Sequence, residues 1–287
     1  VGLGEECGNE KRDYKTRSRA ELINIIRETK SMTKNPFGVN IMSVLTNYDE
    51  LVEAAQAEAV DVIISGAGLP LRLPALIKND RTKIVPIVSS GRAAQIICST
   101  WLRRYNRLPD AIIVEGPLAG GHLGYSLAEL NDPEHFSLDS ILTDVLAVTR
   151  NFGNDKARIP VIAAGGIFDG KDICRVMRLG ASGVQMGTRF VCTDECDVSL
   201  KYKEAYLNAK KEDIVVIKSP VGLPGRVIRN EFVKKVTEGA RVPFGCEYKC
   251  LYTCDANKVN YCIAKALLNA SRGEMDKGFA MCGSNAY

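Results

Sequence analysis

The chain has 287 residues, 46% hydrophobic and 25% charged, a balance that excludes a disordered chain. That length suits one α/β barrel of about 250 residues with a small extra, or two average domains. Net charge is +4, from 38 Lys and Arg against 34 Asp and Glu, with the signs interspersed. So mild a balance argues against a nucleic-acid partner, and the basic stretch Lys11 to Arg19, broken by Asp13, reads as a solvated face. No apolar run reaches the roughly 18 residues that span a bilayer, and the opening residues VGLGEECGNEKRDYK hold no apolar leader core. The expectation is a cytoplasmic protein without a membrane partner, whose ten cysteines are thiols or metal ligands before they are disulfides.

In chain order, Ser18 followed by Glu21 reads as a capping box for a helix carrying Leu22, Ile25 and Ile26 on one face. Six continuously apolar runs follow: FGVNIMS (37–43), VDVIISG (60–66), KIVPIVSS (83–90), DAIIVEG (110–116), IPVIAAGG (159–166) and SGVQMGTRF (182–190). Their continuity is that of parallel strands buried on both faces. Their starts lie 23, 23, 27, 49 and 23 residues apart, about what a strand and a crossover helix need. A seventh run, DIVVIKS (213–219), is weaker. Asp169 before KDICRVMRL and Gly180 after it mark a helix start and stop, and 199–212 and NYCIAKALLNASRG are further helical stretches. The pattern is α/β, either a closed barrel or an open sheet. For a barrel of eight, about two strands are missing from the N-terminal end.

Two strand ends carry glycines suited to an anion. AAGGIFDG (163–170) leaves a strand and enters a helix, and QMGTRF (185–190) ends the next one. Gly165, Gly166 and Gly187 offer bare backbone, and Thr188 adds a hydroxyl. Successive strand ends of this kind match the phosphate site of many barrels. No Rossmann or P-loop motif is present. Of the two histidines, His135 lies in a polar loop and reads as a surface residue. His122 sits in EGPLAGGHLGY (115–125), after a strand and at the start of the longest gap between strands, where active-site loops are expected. An imidazole titrating near neutrality suits proton abstraction from carbon.

Four cysteines, Cys246, Cys250, Cys254 and Cys262, fall in GCEYKCLYTCDANKVNYC. The spacing allows zinc or an iron–sulfur cluster, although it is neither a zinc-ribbon nor a ferredoxin pattern. On a continuous helix the first three would instead form one stripe of buried thiols. Cys7, Cys98, Cys174, Cys192 and Cys196 lack motif support and read as packing residues.

Together, PFGVNIM, SGAGLP, EGPLAGGHLG, AAGGI and QMGTRF resemble, in order, the nitronate monooxygenases, related to FMN-dependent enoyl-ACP reductases and NADH:quinone reductases. The resemblance covers about residues 36–230 and implies a TIM barrel that binds FMN non-covalently. It implies that Gly165, Gly166, Gln185, Met186, Gly187 and Thr188 hold the FMN phosphate and its surroundings, and that Asn40 lies near the isoalloxazine. Glu115 stands where many relatives have Gln, Gly120 matches a glycine touching the cofactor, and His122 matches the catalytic histidine. It also implies that Cys282 or Ser284 returns to border the substrate. The family's Gly-Gly-Met turn is absent, and only VGLG (1–4) resembles the tail of the strand that follows it. The implied layout is an N-terminally incomplete FMN-binding barrel over 1–230, and a cysteine-rich helical segment over 231–287 packing on it. The implied reaction is oxidation of alkyl nitronates or nitroalkanes by O2 to carbonyl compounds and nitrite. The alternative is NAD(P)H-dependent reduction of an enoyl thioester or a quinone. A non-catalytic metal- or partner-binding protein is the third reading, and homo-oligomerisation stays open.

Overall fold

The computed structural model describes residues 13–153, 158–246 and 248–287. The VGLG run, Cys7 and the first residues of the basic stretch lie outside them. The chain forms two compact units. Among the described residues the first takes 13–113, 147–153, 158–160 and 248–252, and the second takes 114–146, 161–246 and 253–287.

The first unit opens with helix α1 (Tyr14–Met32), whose start lies one turn before the expected one. Asp13 caps it, its carboxylate accepting from the Lys15 and Thr16 amides. Ser18 is therefore inside the helix, buried on one face with Tyr14, Leu22 and Ile26. Then β1 (Gly38–Met42), α2 (Tyr48–Ala57), β2 (Val62–Gly66), α3 (Leu73–Leu76), β3 (Lys83–Val88) and α4 (Gly91–Tyr105) alternate. β1 pairs with β2 and β2 with β3, both parallel, with Asn40 opposite Ile64 and Ile64 opposite Val85. Ile63, Ile84 and Trp101 are fully buried. α4 is set by its ends: Ser90 accepts from the Ala93 amide, and Asn106 closes the helix in the left-handed region. β4 (Ile112–Glu115) begins here, the Asp110 amide bonding the Ile84 carbonyl.

The second unit takes up the end of β4. It carries β5 (Gly121–His122), α5 (Leu127–Leu130), most of α6 (Leu138–Phe152), β6 (Val161–Ala164), α7 (Gly170–Leu179) and β7 (Gly183–Gln185). There follow α8 (Leu200–Leu207), β8 (Ile214–Lys218), β9 (Pro224–Ile228), α9 (Glu231–Thr237) and α10 (Ile263–Ser271). β6 and β7 are parallel, and the Gly116 amide donates to the Ala164 carbonyl, which aligns the end of β4 with β6. The weak seventh run is a strand, but not a parallel one. β8 pairs antiparallel with β9, and β9 with β5. Phe232, Tyr261 and Phe279 form a buried aromatic group between α9 and the C-terminal segment.

Two expectations for the cysteines fail. The segment from 240 to 262 contains no helix among the described residues, so no helical stripe of thiols forms, and all four cysteines are only half-buried. No group of three or more His, Cys, Asp or Glu among the described residues is placed to hold a metal ion, so zinc or an iron–sulfur cluster at Cys246, Cys250, Cys254 and Cys262 finds no support. Cys98 is buried as a packing thiol should be, whereas Cys174 and Cys192 are exposed. No helix among the described residues is long and apolar enough to cross a membrane.

Candidate active site

Of the residues singled out above, Asn40 lies in the first unit, exposed at the centre of β1. The other flavin-site and catalytic candidates lie in the second unit, where contacts link the end of β4, the turn after β6, the end of β7 and the chain terminus, whereas Cys98 and Cys250 are in the first.

Gly165 and Gly166 follow β6 with φ of +89° and +79°, a region that side chains disfavour. A Cβ on Gly165 would stand 2.8 Å from the Gly116 carbonyl oxygen, and one on Gly166 2.9 Å from the Leu118 Cβ. The turn is thus glycine by both conformation and space. Gly187 differs, because nothing lies within 4 Å of where its Cβ would be. Thr188 follows, its Oγ1 accepting from the Gly283 amide at 2.9 Å and keeping its own proton to donate. Gln185 ends β7 opposite Ala164, and Met186 is half-buried beside it.

The start of α7 is already in use. The Asp169 carboxylate accepts from the Lys171 and Asp172 amides, and Asp172 accepts from Phe168 and Asp169. The backbone left bare at this strand end is therefore that of the glycine turn rather than of the helix terminus. Arg189, which sequence reasoning passed over, places its guanidinium 4.9 Å from the centre of the Phe168 ring and brings a cation to this side.

The C-terminal segment is woven through the same region. The Cys282 amide bonds the Arg226 carbonyl, the Ser284 amide bonds Leu118, and the Tyr206 hydroxyl donates to the Met281 carbonyl at 2.5 Å. A Cβ on Gly120 would lie 2.6 Å from the Cys282 carbonyl carbon and the Gly283 nitrogen. The terminus thus itself requires glycine at 120. Cys282 is buried, and burial pushes its thiol up to about 12.

His122 is not in a free loop. It lies on β5, opposite Gly225 of β9, and the Leu123 amide bonds the Pro224 carbonyl. Its Nε2 is 2.7 Å from the Ser219 Oγ, at the end of β8. Burial pushes the imidazole down to about 4, away from the titration near neutrality expected of it, because the charged ring is disfavoured there. Burial pushes the Glu115 carboxyl the other way, up to about 7. The Glu115 backbone carbonyl accepts from the Tyr125 hydroxyl at 2.5 Å. His135 is exposed and paired with Asp132 at 2.9 Å, as a surface residue.

Sequence reasoning also missed Ser219 and Arg226. Arg226 is 8% exposed and donates from Nη1 to the carbonyls of Pro117 (2.9 Å) and Ala119 (2.5 Å), fixing the loop that leads to His122. The signal available was SPVGLPGR (219–226), a glycine turn followed by an arginine inside an apolar strand.

The family model for nitronate monooxygenase matches residues 29–287. A Mycobacterium tuberculosis protein, (3aS,4S,5R,7aS)-5-hydroxy-7a-methyl-1-oxo-octahydro-1H-indene-4-carboxyl-CoA dehydrogenase, is 34% identical over 221 residues, 77% of this chain and 56% of that one. A probable nitronate monooxygenase of Staphylococcus saprophyticus is 40% identical over 129 residues, 45% of this chain and 34% of that one. The chain thus spans little more than half the length of the first of these relatives. FabK from Thermotoga maritima superposes with a TM-score of 0.73 and 32% identity, over 93% of this chain and 75% of that one. A nitroalkane oxidase from Streptomyces ansochromogenes shares the fold, at a TM-score of 0.70 and 21% identity, over 93% and 80% of the two chains. The α/β barrel-type fold read from the sequence is borne out. The chain belongs to the nitronate monooxygenase family.

Proposed function

We propose that this chain is the core of an FMN-dependent oxidoreductase that oxidises alkyl nitronates or nitroalkanes with O2. The observation that carries this reading is His122, held on β5 as a neutral base within the unit that also bears the glycine strand ends. The residues present fit FMN. The turn at Gly165 and Gly166 excludes side chains, Gly187 opens onto free space, and Thr188 keeps a donor proton. These four would hold the phosphate, with Arg189 adding charge. Gln185 and Met186 would line the neighbouring groups, Glu115 would face the ring system, and Gly120 would carry the cofactor-side loop. When bound, FMN supplies the electron acceptor.

His122 takes the proton from the carbon beside the nitro group, and the C–H electron pair stays on the substrate. Burial without substrate makes the ring a weak base, and the negative charge that develops on the substrate beside it is what would raise its basicity in this step. The imidazolium so formed lies beside the anionic substrate and stabilises it. On this reading residues 1–230 are the FMN-binding part, 231–287 are appended to it, and the protein is cytoplasmic.

His122→Ala should lower turnover on neutral nitroalkane by about 100-fold while sparing preformed nitronate. Equal losses on both substrates would remove the base role.

A second reading has one observation in its favour. The relative that matches 77% of this chain is named for a carboxyl-CoA substrate, whereas the Staphylococcus saprophyticus nitronate monooxygenase matches 45%. An NAD(P)H-dependent reductase of an enoyl thioester or a quinone would use the same FMN site, with His122 orienting or protonating the substrate. Anaerobic mixing of the FMN-loaded protein with alkyl nitronate, and separately with NADH and NADPH, tells the two apart. Bleaching of flavin absorbance by nitronate supports the oxidase. Bleaching by nicotinamide with nitronate inert supports the reductase.

A further inference from the structure

We propose that Ser219 is the positioning residue of His122: its Oγ accepts the Nε2 proton and so leaves Nδ1 unprotonated as the base. The proposal rests on His122 being the working base but adds the residue that sets which nitrogen works.

Both partners are anchored on one small antiparallel sheet. His122 is on β5, paired with Gly225, and Ser219 follows β8, whose Lys218 pairs with Pro224 of the same β9. The Ser219 backbone is pinned at both ends of a tight turn, its amide donating to the Leu223 carbonyl and its carbonyl accepting from the Gly222 amide. Ser219 is 3% exposed, so the 2.7 Å contact is not a passing surface encounter. Hydrogen bonds across a sheet of fixed register leave the two side chains little freedom to drift.

A neutral imidazole carries one proton, on Nδ1 or Nε2, and its hydrogen-bond partners decide which. Were Ser219 the donor, Nε2 would be masked as an acceptor and the proton would sit on Nδ1, leaving no lone pair for a substrate. With Ser219 as acceptor the ring presents a lone pair at Nδ1. The Ser219 hydroxyl proton then needs another acceptor, and the structure supplies polar surroundings for it. Ser219 lines a cavity of about 350 Å³ together with Lys218, Thr237, Asn260 and Tyr261. That space is large enough for several waters. The Val221 amide approaches the same Oγ at a long 3.4 Å, which is compatible with Oγ acting as an acceptor.

In the step itself, the substrate C–H proton moves to Nδ1 and the C–H electron pair remains on the substrate. The Nε2 proton stays bonded to Ser219, which holds the imidazolium in place as the charge appears. Ser219 is to His122 what a carboxylate is in a catalytic triad, but uncharged, so it orients the ring without raising its basicity through a full charge.

The test is the tautomer itself, read by 15N NMR of the histidine rings in the full chain, without substrate, between pH 6 and 8. With only two histidines in the sequence, a His135→Ala control assigns both rings. The expected result is His122 almost wholly in the Nε2–H form in the unsubstituted chain. Ser219→Ala should turn this into a mixture with at least a tenfold larger Nδ1–H share, and Ser219→Thr, which keeps the hydroxyl, should restore the bias. An Nδ1–H ring in the unsubstituted chain overturns the proposal whether or not the Ala variant folds. So does an unchanged tautomer ratio in a folded Ser219→Ala chain. Because no substrate is used, failure of nitronate turnover leaves this result standing, and the converse also holds.

Discussion

The strands of the first unit and the small sheet of the second were built by different rules. β1, β2 and β3 are parallel and in register, and each falls within two residues of the apolar run that foretells it. The sheet β5–β9–β8 is antiparallel, and one of its strands, β5, is two residues long. The first arrangement is written locally, because a strand buried on both faces must be continuously apolar. The second joins a local hairpin, β8–β9, to β5 about a hundred residues away, and it is that distant pairing, with the contact of His122 and Ser219, that local pattern does not carry. The parallel strands make the scaffold, and the long-range sheet sets the chemistry of the histidine.

The largest test of that difference is pH. Burial holds Glu115 up at about 7 against its usual 4.5, and His122 down at about 4 against 6.5. A raised carboxyl contributes stability that is complete below about pH 4.5 and is lost as the pH climbs to about 7. A lowered imidazole contributes stability that is complete above about 6.5 and is lost as the pH falls to about 4. Between roughly pH 4.5 and 6.5 the two slopes oppose and nearly cancel. Glu115→Gln removes one arm. The variant should match the unsubstituted chain near pH 4, exceed it by up to about 3 kcal/mol at pH 8, and lose stability steeply below pH 6.5. Urea midpoints across pH 4–8 measure this. Parallel curves for the two proteins would mean that the carboxyl is hydrated and that its burial does not count.

Two glycines give a middle-sized test. Gly120 and Gly187 look alike in sequence, each within two residues of a side chain with a proposed role, but their surroundings differ. At Gly120 a Cβ meets backbone atoms of Cys282 and Gly283 at 2.6 Å, which cannot swing aside. Gly120→Ala should cost about 1–3 kcal/mol of stability, through displacement of the terminal segment. At Gly187 a Cβ meets nothing within 4 Å. Gly187→Ala should leave denaturation unchanged within about 0.5 kcal/mol, yet weaken FMN binding about tenfold by filling the space proposed for the phosphate. Denaturation and flavin fluorescence titration of both variants separate packing from binding. A loss of stability at Gly187 without a loss of affinity would reverse their assignment.

How much of the site was legible follows the same division. Gly165, Gly166, Asp169 and Gly180 were readable, because a strand end, a cap and a left-handed turn each demand particular residues within a few positions. His122 was readable as a candidate but not in its state, since its neutrality comes from burial that the sequence does not display. Ser219 and Arg226 were missed, although the glycine turn and the arginine of 219–226 stand in the sequence. A serine before a proline and an arginine in an apolar strand become informative only once β9 brings them to the loop at 117–122. Ser18 misled for the opposite reason. It satisfies a cap pattern, but Asp13, five residues earlier, caps the helix with its own carboxylate.

The smallest test concerns the start of α7, the helix terminus that follows the glycine turn and whose dipole also favours an anion. Asp169 already accepts from the Lys171 and Asp172 amides, and its own charge opposes an incoming phosphate. Asp169→Ala removes the cap, and the cost should be about 1 kcal/mol of stability. If the phosphate meets the Gly165–Gly166 turn instead, the same substitution should leave FMN affinity unchanged or tighten it slightly, because a nearby negative charge is gone. A loss of affinity comparable with that of Gly187→Ala would place the phosphate on the helix terminus after all. The direction of that one change therefore tells whether the backbone conformation of the turn or the dipole of the helix holds the anion.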